Sequence, residues 1–562
     1  MEVEEAWLDE INDEGEEIAQ TELEEPKEVK IPLHTIVIRE EDIMEPTKEL
    51  WTGFTKSTAT IHRCQDKALN LIEVEGENVH YMNSIFLTLI LEFLFLQFIS
   101  FSSNLLQNSN TIKSGHDTSP PPDTRQAKSP RLVSLDVFRG LTVALMILVD
   151  DAGGAFPSIN HAPWFGVTLA DYVMPSFLFI IGVCIALVFK KIPNKSSATK
   201  KVIIRTIKLF VLGLIIQGGF FHGNNNLTYG VDMDRIRLFG VLQRIAIGYF
   251  LAAISEIWLV RNVPVDSATS FVRKYYIQWT VAAVITMLYI GLLLGLYVPD
   301  WEFQVQSKST NLQTNSTILV QCGVRGSMDP PCNAVGLVDR IVLGQNHLYM
   351  HPVYRRTKEC SVNSPDYGPL PLGAPTWCLA PFDPEGLLST LMSAVTCFVG
   401  VYFGHIIIYC KGHPERMLLW AVSSLVLVIL AFAVQLFGMP FSKPLYTVSY
   451  MFLTAGVSGF ALASIYFMVD IIKFSAPLVI FQWMGMNALI VFILAASEVF
   501  PIFLQGFYWR SPSNNLVSLT EAVLQKICNS KRWGTLAFVL LEVLFWGLAA
   551  GVLHIKGIYY KL

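Results

Sequence analysis

The sequence predicts an all-α fold: a polytopic transmembrane helical bundle of ten core spans, with a candidate extra span ahead of them. Three observations predict it. Of 562 residues, 52% are hydrophobic and only 15% are charged, against about 25% charged in soluble chains. The apolar residues gather in runs of about 20, long enough for a helix to cross a bilayer with its backbone hydrogen bonds satisfied internally. Lys and Arg gather on one side of those runs, as cytosolic loops do.

The elements follow in chain order. Residues 1–50 hold 18 acidic and 4 basic residues, a net of −14 against −5 for the whole chain, so the remainder carries +9. Residues 1–83 are expected to form a solvated, disordered acidic head. Their start is acidic rather than basic and apolar, so no ordinary signal peptide is read there. Residues 84–103 carry an apolar run interrupted by Glu92 and Gln97, read as the extra span. If it spans, the head is luminal; if not, cytosolic. Residues 104–130, with Pro120, Pro121 and Pro122, read as a linker.

The membrane domain is expected over 131–562. Its core spans are read at about 134–151, 171–189, 202–220, 238–259, 276–297, 386–409, 417–437, 446–470, 477–500 and 533–554. With the first core span running from cytosol to lumen, cytosolic segments carry 18 Lys and Arg and the short luminal loops carry 7. That orientation makes the long loop 298–385 luminal. The loop holds Cys322, Cys332, Cys360 and Cys378 and the sequon at Asn315, both features of an oxidising, glycosylating compartment. Four cysteines allow three pairings, which stay open. Interfacial Trp and Tyr such as Trp164, Tyr297 and Trp533 read as a membrane belt.

Polar residues in or near spans are costly and call for a reason. Ser134 is a candidate helix cap, and Asp136 suits the positive dipole end of the first span or a functional role about equally. Arg139, one turn deeper, either snorkels or forks onto a phosphate. Asp150 closes the first span near the luminal face. His161 lies in the following loop, between Asp150 and Asp171; it is either an interfacial histidine or a general base oriented by a carboxylate. Arg244 is deep enough to need a partner, with Asp150 and Asp171 as candidates, and serves as a structural ion pair or a substrate contact. Asn487, mid-span, either bridges helices or lines a pocket. His405 is structural or cavity-lining. The chain has no CxxC pair, HExxH, GxSxG or Gly-rich phosphate loop, so no metal site and no nucleic-acid stripe is expected.

At SLDVFRG, VDDAGG, NHAPWFG, LADYVMPSFLFIIG, GVLQR and GMN, the chain resembles the heparan-alpha-glucosaminide N-acetyltransferase family. The first motif also resembles a wider group of membrane acyltransferases. The resemblance runs from about Arg131 to the C-terminus. It implies acetyl transfer from cytosolic acetyl-CoA to a luminal acceptor, glucosamine in the best-known members. It implies that His161 is the active-site histidine, acting as base or as transient acetyl carrier. It implies a role for Asp150, where the family commonly has Asn, and support from Arg139, Asp136, Asp171, Arg244 and Asn487. Ionised aspartate cannot donate a hydrogen bond as asparagine does, so Asp150 has a different role or the acceptor differs. The motif wording is closer to plant members, so heparan itself is not carried over. Animal members have a large luminal domain where residues 1–83 are short and acidic. A lysosome- or vacuole-like endomembrane and a homodimer are further implications of the resemblance.

Two rivals stand beside the enzyme. A transporter of a small anion or sugar suits embedded Asp, Arg and Asn equally well, although no pair of broken half-helices is read. A scaffold with an acidic recruiting head leaves His161 and Arg244 unexplained.

Overall fold

The computed structural model describes residues 132–560 apart from 191, 218–232, 262, 266–267, 310–311 and 497–503. The acidic head, the extra apolar run and the linker lie outside the described residues. Helices α1 (Val133–Ala152), α2 (Leu169–Val188), α3 (Lys195–Gln217), α4 (Val241–Trp258) and α5 (Ala268–Gly295) come first. A connecting region follows, with ribbon strands β1 (Tyr297–Val298), β2 (Trp301–Ser309), β3 (Leu312–Val320) and β4 (Val324–Arg325), then α6 (Ala334–Leu343). Next come α7 (Leu387–Tyr409), α8 (His413–Leu436), α9 (Val448–Tyr466), α10 (Val479–Met486) and α11 (Ala488–Ala496). The chain closes with β5 (Tyr508–Trp509), β6 (Ser511–Asn515), α12 (Leu516–Ile527) and α13 (Lys531–Ile555).

Among the described residues, seven helices are long and apolar enough to cross a membrane, and a bent pair makes up to eight spans. These are α2, α4, most of α5, α7, α8, α9 with its π-helical extension Phe467–Ile471, and α13. Helices α1 and α3 occupy their expected positions but are more charged: α1 carries Asp136, Arg139, Asp150 and Asp151, and α3 carries lysines along its first half. The ninth expected span is not one helix. Ala476–Met486 and Ala488–Ala495 meet at a 76° bend. Asn487 leaves helical geometry between them, at φ −120° and ψ 29°. A second difference concerns Ser134, which lies inside α1 with its buried hydroxyl unpartnered, so it is not the cap; Leu132 holds that position without a side-chain bond.

Small residues let the helices approach closely, because an apolar surface gains little over lipid except by packing. A Cβ at Gly140 would sit 1.7 Å from the Phe481 carbonyl oxygen, and one at Gly485 would sit 1.7 Å from that of Asp136. These contacts fix the crossing of α1 and α10. Gly182 and Gly400 do the same for α2 and α7. Helix α7 is the central element, buried along most of its length. It is pinned to α4 and α5 by buried polar groups: His405 Nε2 lies 3.1 Å from Glu256, Gln278 donates to Glu256 at 2.7 Å, and Tyr275 stacks on His405 at 3.9 Å. This gives His405 a structural role.

The segment between α5 and α7 is closed by two disulfides, Cys322–Cys332 and Cys360–Cys378. They resolve the three pairings that sequence left open. Asn315 falls on β3, opposite Gln306.

Candidate active site

The loop between α1 and α2 is built by the start of α2. Thr168 and Asp171 form a capping box, which satisfies the free N–H groups of the first turn. Asp171 Oδ2 accepts from the Ala162 N–H at 3.1 Å, the Thr168 N–H at 3.1 Å and the Thr168 hydroxyl at 3.0 Å. Its other oxygen lies 2.9 Å from His161 Nδ1. Further along, the Trp164 indole donates to the Met328 carbonyl at 2.9 Å, and its ring packs edge-on against Tyr354 and Phe382. The Gly166 N–H donates to the Phe441 carbonyl at 2.8 Å. At φ 101°, position 166 needs glycine. The loop is therefore gripped by both neighbouring connections of the same end of the bundle.

Lys443, between α8 and α9, completes the cluster. Its Nζ lies 2.9 Å from His161 Nδ1, 3.3 Å from Nε2 and 3.7 Å from Asp171 Oδ1. A carboxylate accepts only, so Asp171 assigns the imidazole proton to Nδ1 and leaves the Nε2 lone pair. Burial lowers the His161 pKa below the ordinary imidazole value, and Lys443 lowers it further, while the Asp171 bond and charge oppose both. The ring is thus neutral at neutral pH. Tyr450 donates to the Asp171 backbone carbonyl and stacks edge-on with Tyr446 at 5.1 Å, holding the start of α2 to α9.

Of the residues singled out in the sequence, His161 and Asp171 meet directly. Asp150 stands exposed at the end of α1 within electrostatic reach of Lys443, with no hydrogen bond to His161 among the described residues. Arg244 pairs with neither Asp150 nor Asp171. Its guanidinium donates to the Pro384 carbonyl at 2.8 Å and to the Ser389 hydroxyl, and it lies 5.3 Å over the Tyr446 ring. The physical reason is proximity: α4 packs on α7, and the start of α7 supplies oxygen acceptors first. Arg237 takes the carboxylates there, donating to Asp383 at 2.9 and 2.6 Å and to Glu385 at 2.6 Å. Arg139 stays near the other end of α1, against Asp136 at 3.3 Å, the Gly485 carbonyl at 3.4 Å and the Cys184 sulfur at 3.0 Å. Asn487 sits at the break between α10 and α11, its amide oxygen and nitrogen both buried without a partner. Lys443, Asn160 and Arg356 were missed. For Lys443 a signal existed: a lone lysine in a short loop on the side where positive charge is scarce.

Residues 131–301 match the family model described as heparan-alpha-glucosaminide N-acetyltransferase, catalytic. The human heparan-alpha-glucosaminide N-acetyltransferase is 29% identical over 470 residues, covering 79% of this chain and 64% of the human protein. The chain is similar to that protein over this span. The mouse heparan-alpha-glucosaminide N-acetyltransferase is 29% identical over 451 residues, 76% of this chain and 62% of its own length. The chain thus spans slightly less than two thirds of these N-acetyltransferases. The segment matching the catalytic model contains His161, Asp171, Asp150, Arg139 and Arg244, whereas Lys443, Arg356 and Asn487 lie beyond it.

Proposed function

We propose that this chain is a membrane-embedded acetyltransferase. It takes an acetyl group from acetyl-CoA presented on the cytosolic side and passes it to an amine or hydroxyl on the luminal side of an endomembrane. The acceptor class that the relatives suggest is a glucosamine-like saccharide. The observation that carries this reading is the Asp171–His161–Lys443 cluster. Asp171 fixes the tautomer, the Nε2 lone pair faces the Lys443 ammonium at 3.3 Å, and in the reaction that ammonium turns to the developing negative charge so that Nε2 takes the acceptor's proton.

The transfer balances with these groups alone. The acceptor nitrogen or oxygen bonds to the thioester carbon while its proton passes to Nε2, and the carbonyl oxygen takes up negative charge beside Lys443. Collapse breaks the C–S bond, and the imidazolium returns the proton to the CoA sulfur. Asp171 stabilises the transient cation, as a carboxylate behind a catalytic imidazole does. Arg139, at the opposite end of α1, is the candidate fork for the CoA phosphates, with Asn487 and Arg244 as supporting polar groups along the bundle.

The test uses the full chain in proteoliposomes with [14C]acetyl-CoA and glucosamine. The expected result is labelled glucosamine and released CoA for the natural sequence, and loss of both for H161A. Equal rates in the two overturn the reading. Label retained on the protein, lost in H161A, supports a covalent acetyl-histidine step; transfer without it supports direct attack. The bent span at Asn487 favours one rival, since broken helices line transport paths. Solute flux that persists in H161A, with no CoA released by the natural sequence, establishes that rival.

A further inference from the structure

We infer that Arg356, from the disulfide-closed segment between α6 and α7, is a positioning residue for His161, acting through Asn160. This rests on the reading of His161 as the working imidazole. Three polar contacts converge on one amide. Asn160 Oδ1 accepts from the His161 backbone N–H at 2.8 Å and from Arg356 Nη1 at 2.7 Å. Its Nδ2 donates to Asp366 Oδ1 at 3.4 Å. The amide is 5% exposed, so its orientation is set by these partners and not by water.

Arg356 and Asp366 are themselves held. The Arg356 guanidinium lies 4.5 Å over the Tyr367 ring. The Tyr367 N–H donates to Asp366 Oδ1 at 2.9 Å, and the Ser361 hydroxyl donates to the Asp366 carbonyl at 2.7 Å. Cys360–Cys378 closes the loop that contains Ser361, Asp366 and Tyr367. The chain thus runs disulfide, Asp366 and Arg356, Asn160, His161. The links are hydrogen bonds and a covalent closure, except that Arg356 joins the loop through its guanidinium over the Tyr367 ring. Held this way, the backbone of His161 cannot drift away from Asp171 and Lys443. Displacement of a reacting group by about an ångström is enough to lower a rate by roughly 100-fold.

The charged groups around the imidazole are Asp171 from α2, Lys443 from the connection before α9, Arg356 itself, and, one contact away, Asp366 and Asp150. Arg356 adds to Lys443 in disfavouring the imidazolium, against Asp171. Its removal therefore has a signature that general loosening lacks: the imidazole becomes easier to protonate.

The experiment compares the natural sequence, R356Q, R356K, N160A and R356Q/N160A as full chains in proteoliposomes. One readout is kcat with glucosamine and acetyl-CoA. The other needs no activity: the pH dependence of diethyl pyrocarbonate modification of the peptide bearing His161, which reports its neutral fraction. R356Q is expected to lower kcat about tenfold or more, to leave the acetyl-CoA KM within about twofold, and to move the modification curve to higher pH. R356K is expected to restore the curve. R356Q/N160A is expected to be no slower than the worse single variant, because both cut one path. An unmoved modification curve in R356Q, or additive losses in the double variant, overturns the inference. Failure of H161A to lower transfer in the same vesicles overturns the enzymatic reading and leaves the modification curves to decide the positioning role.

Discussion

His161 meets its three charged neighbours from three separate parts of the chain, and the balance among them sets its protonation. Burial, Lys443 and Arg356 favour the neutral ring, and Asp171 alone opposes them. A lowered pKa means that the base-competent form persists as pH falls past the ordinary imidazole value of about 6.5 and is lost only below it. The acid limb of kcat/KM is therefore expected below that value, and a limb at or above it contradicts the assignment. K443M removes one of the three lowering influences, so the limb is expected to move up, with kcat reduced by about 100-fold as the ammonium is lost from the oxyanion. H161A is expected to lose about 100- to 10,000-fold, the range typical of a general base. Asp171 and His161 were legible from sequence because a loop histidine lies between two acidic span ends and NHAPWFG resembles a family motif. Lys443 stood out only as a lone lysine in a short loop; its place beside His161, 282 residues away, is made by tertiary packing alone.

At the scale of elements, the helices were legible because a bilayer leaves helices as the simplest way to satisfy the backbone. The bend at Asn487 was not, since the residues on both sides remain apolar and a span of the right length fits either way. What makes the bend matter is the glycine crossing beside it. G485A places a methyl group against the Asp136 carbonyl, and overpacking of this kind destabilises by about 1–3 kcal/mol. A lower thermal midpoint in detergent, with weakened acetyl-CoA binding through Arg139, is the expected outcome; an unchanged midpoint means that the crossing relaxes. Arg237 offers a contrasting case. Its fork onto Asp383 and Glu385 joins the approach to α4 with the approach to α7. R237A leaves two carboxylates unpaired, and breaking a buried pair in this way typically costs about 3–5 kcal/mol. The expected readout is a falling yield of folded protein, with R237A/D383N partly recovered.

At the scale of the molecule, orientation rests on the distribution of Lys and Arg, and one cysteine tests it directly. Cys528, at the end of α12, is exposed, while Cys184 is half-buried against Arg139, Cys397 and Cys410 are buried and four others are paired. It belongs to the same end as the His161 loop, because Phe156 packs on Trp533 at 5.7 Å. In sealed vesicles from a C64S/C184S background, an impermeant maleimide is expected to label Cys528 from the luminal side only. Labelling from the cytosolic side reverses the orientation and places His161 on the side where acetyl-CoA is supplied.

The separation between His161 and Lys443 also has a consequence for biogenesis. A ribosome-bound chain that has emerged through α2 already displays the imidazole and its carboxylate, yet lacks the arginine that arrives near residue 356 and the lysine that arrives near residue 443. Competence is thereby tied to the later part of insertion: a chain cut short before residue 443 carries the histidine and its carboxylate without the lysine, and one cut before residue 356 lacks the arginine as well.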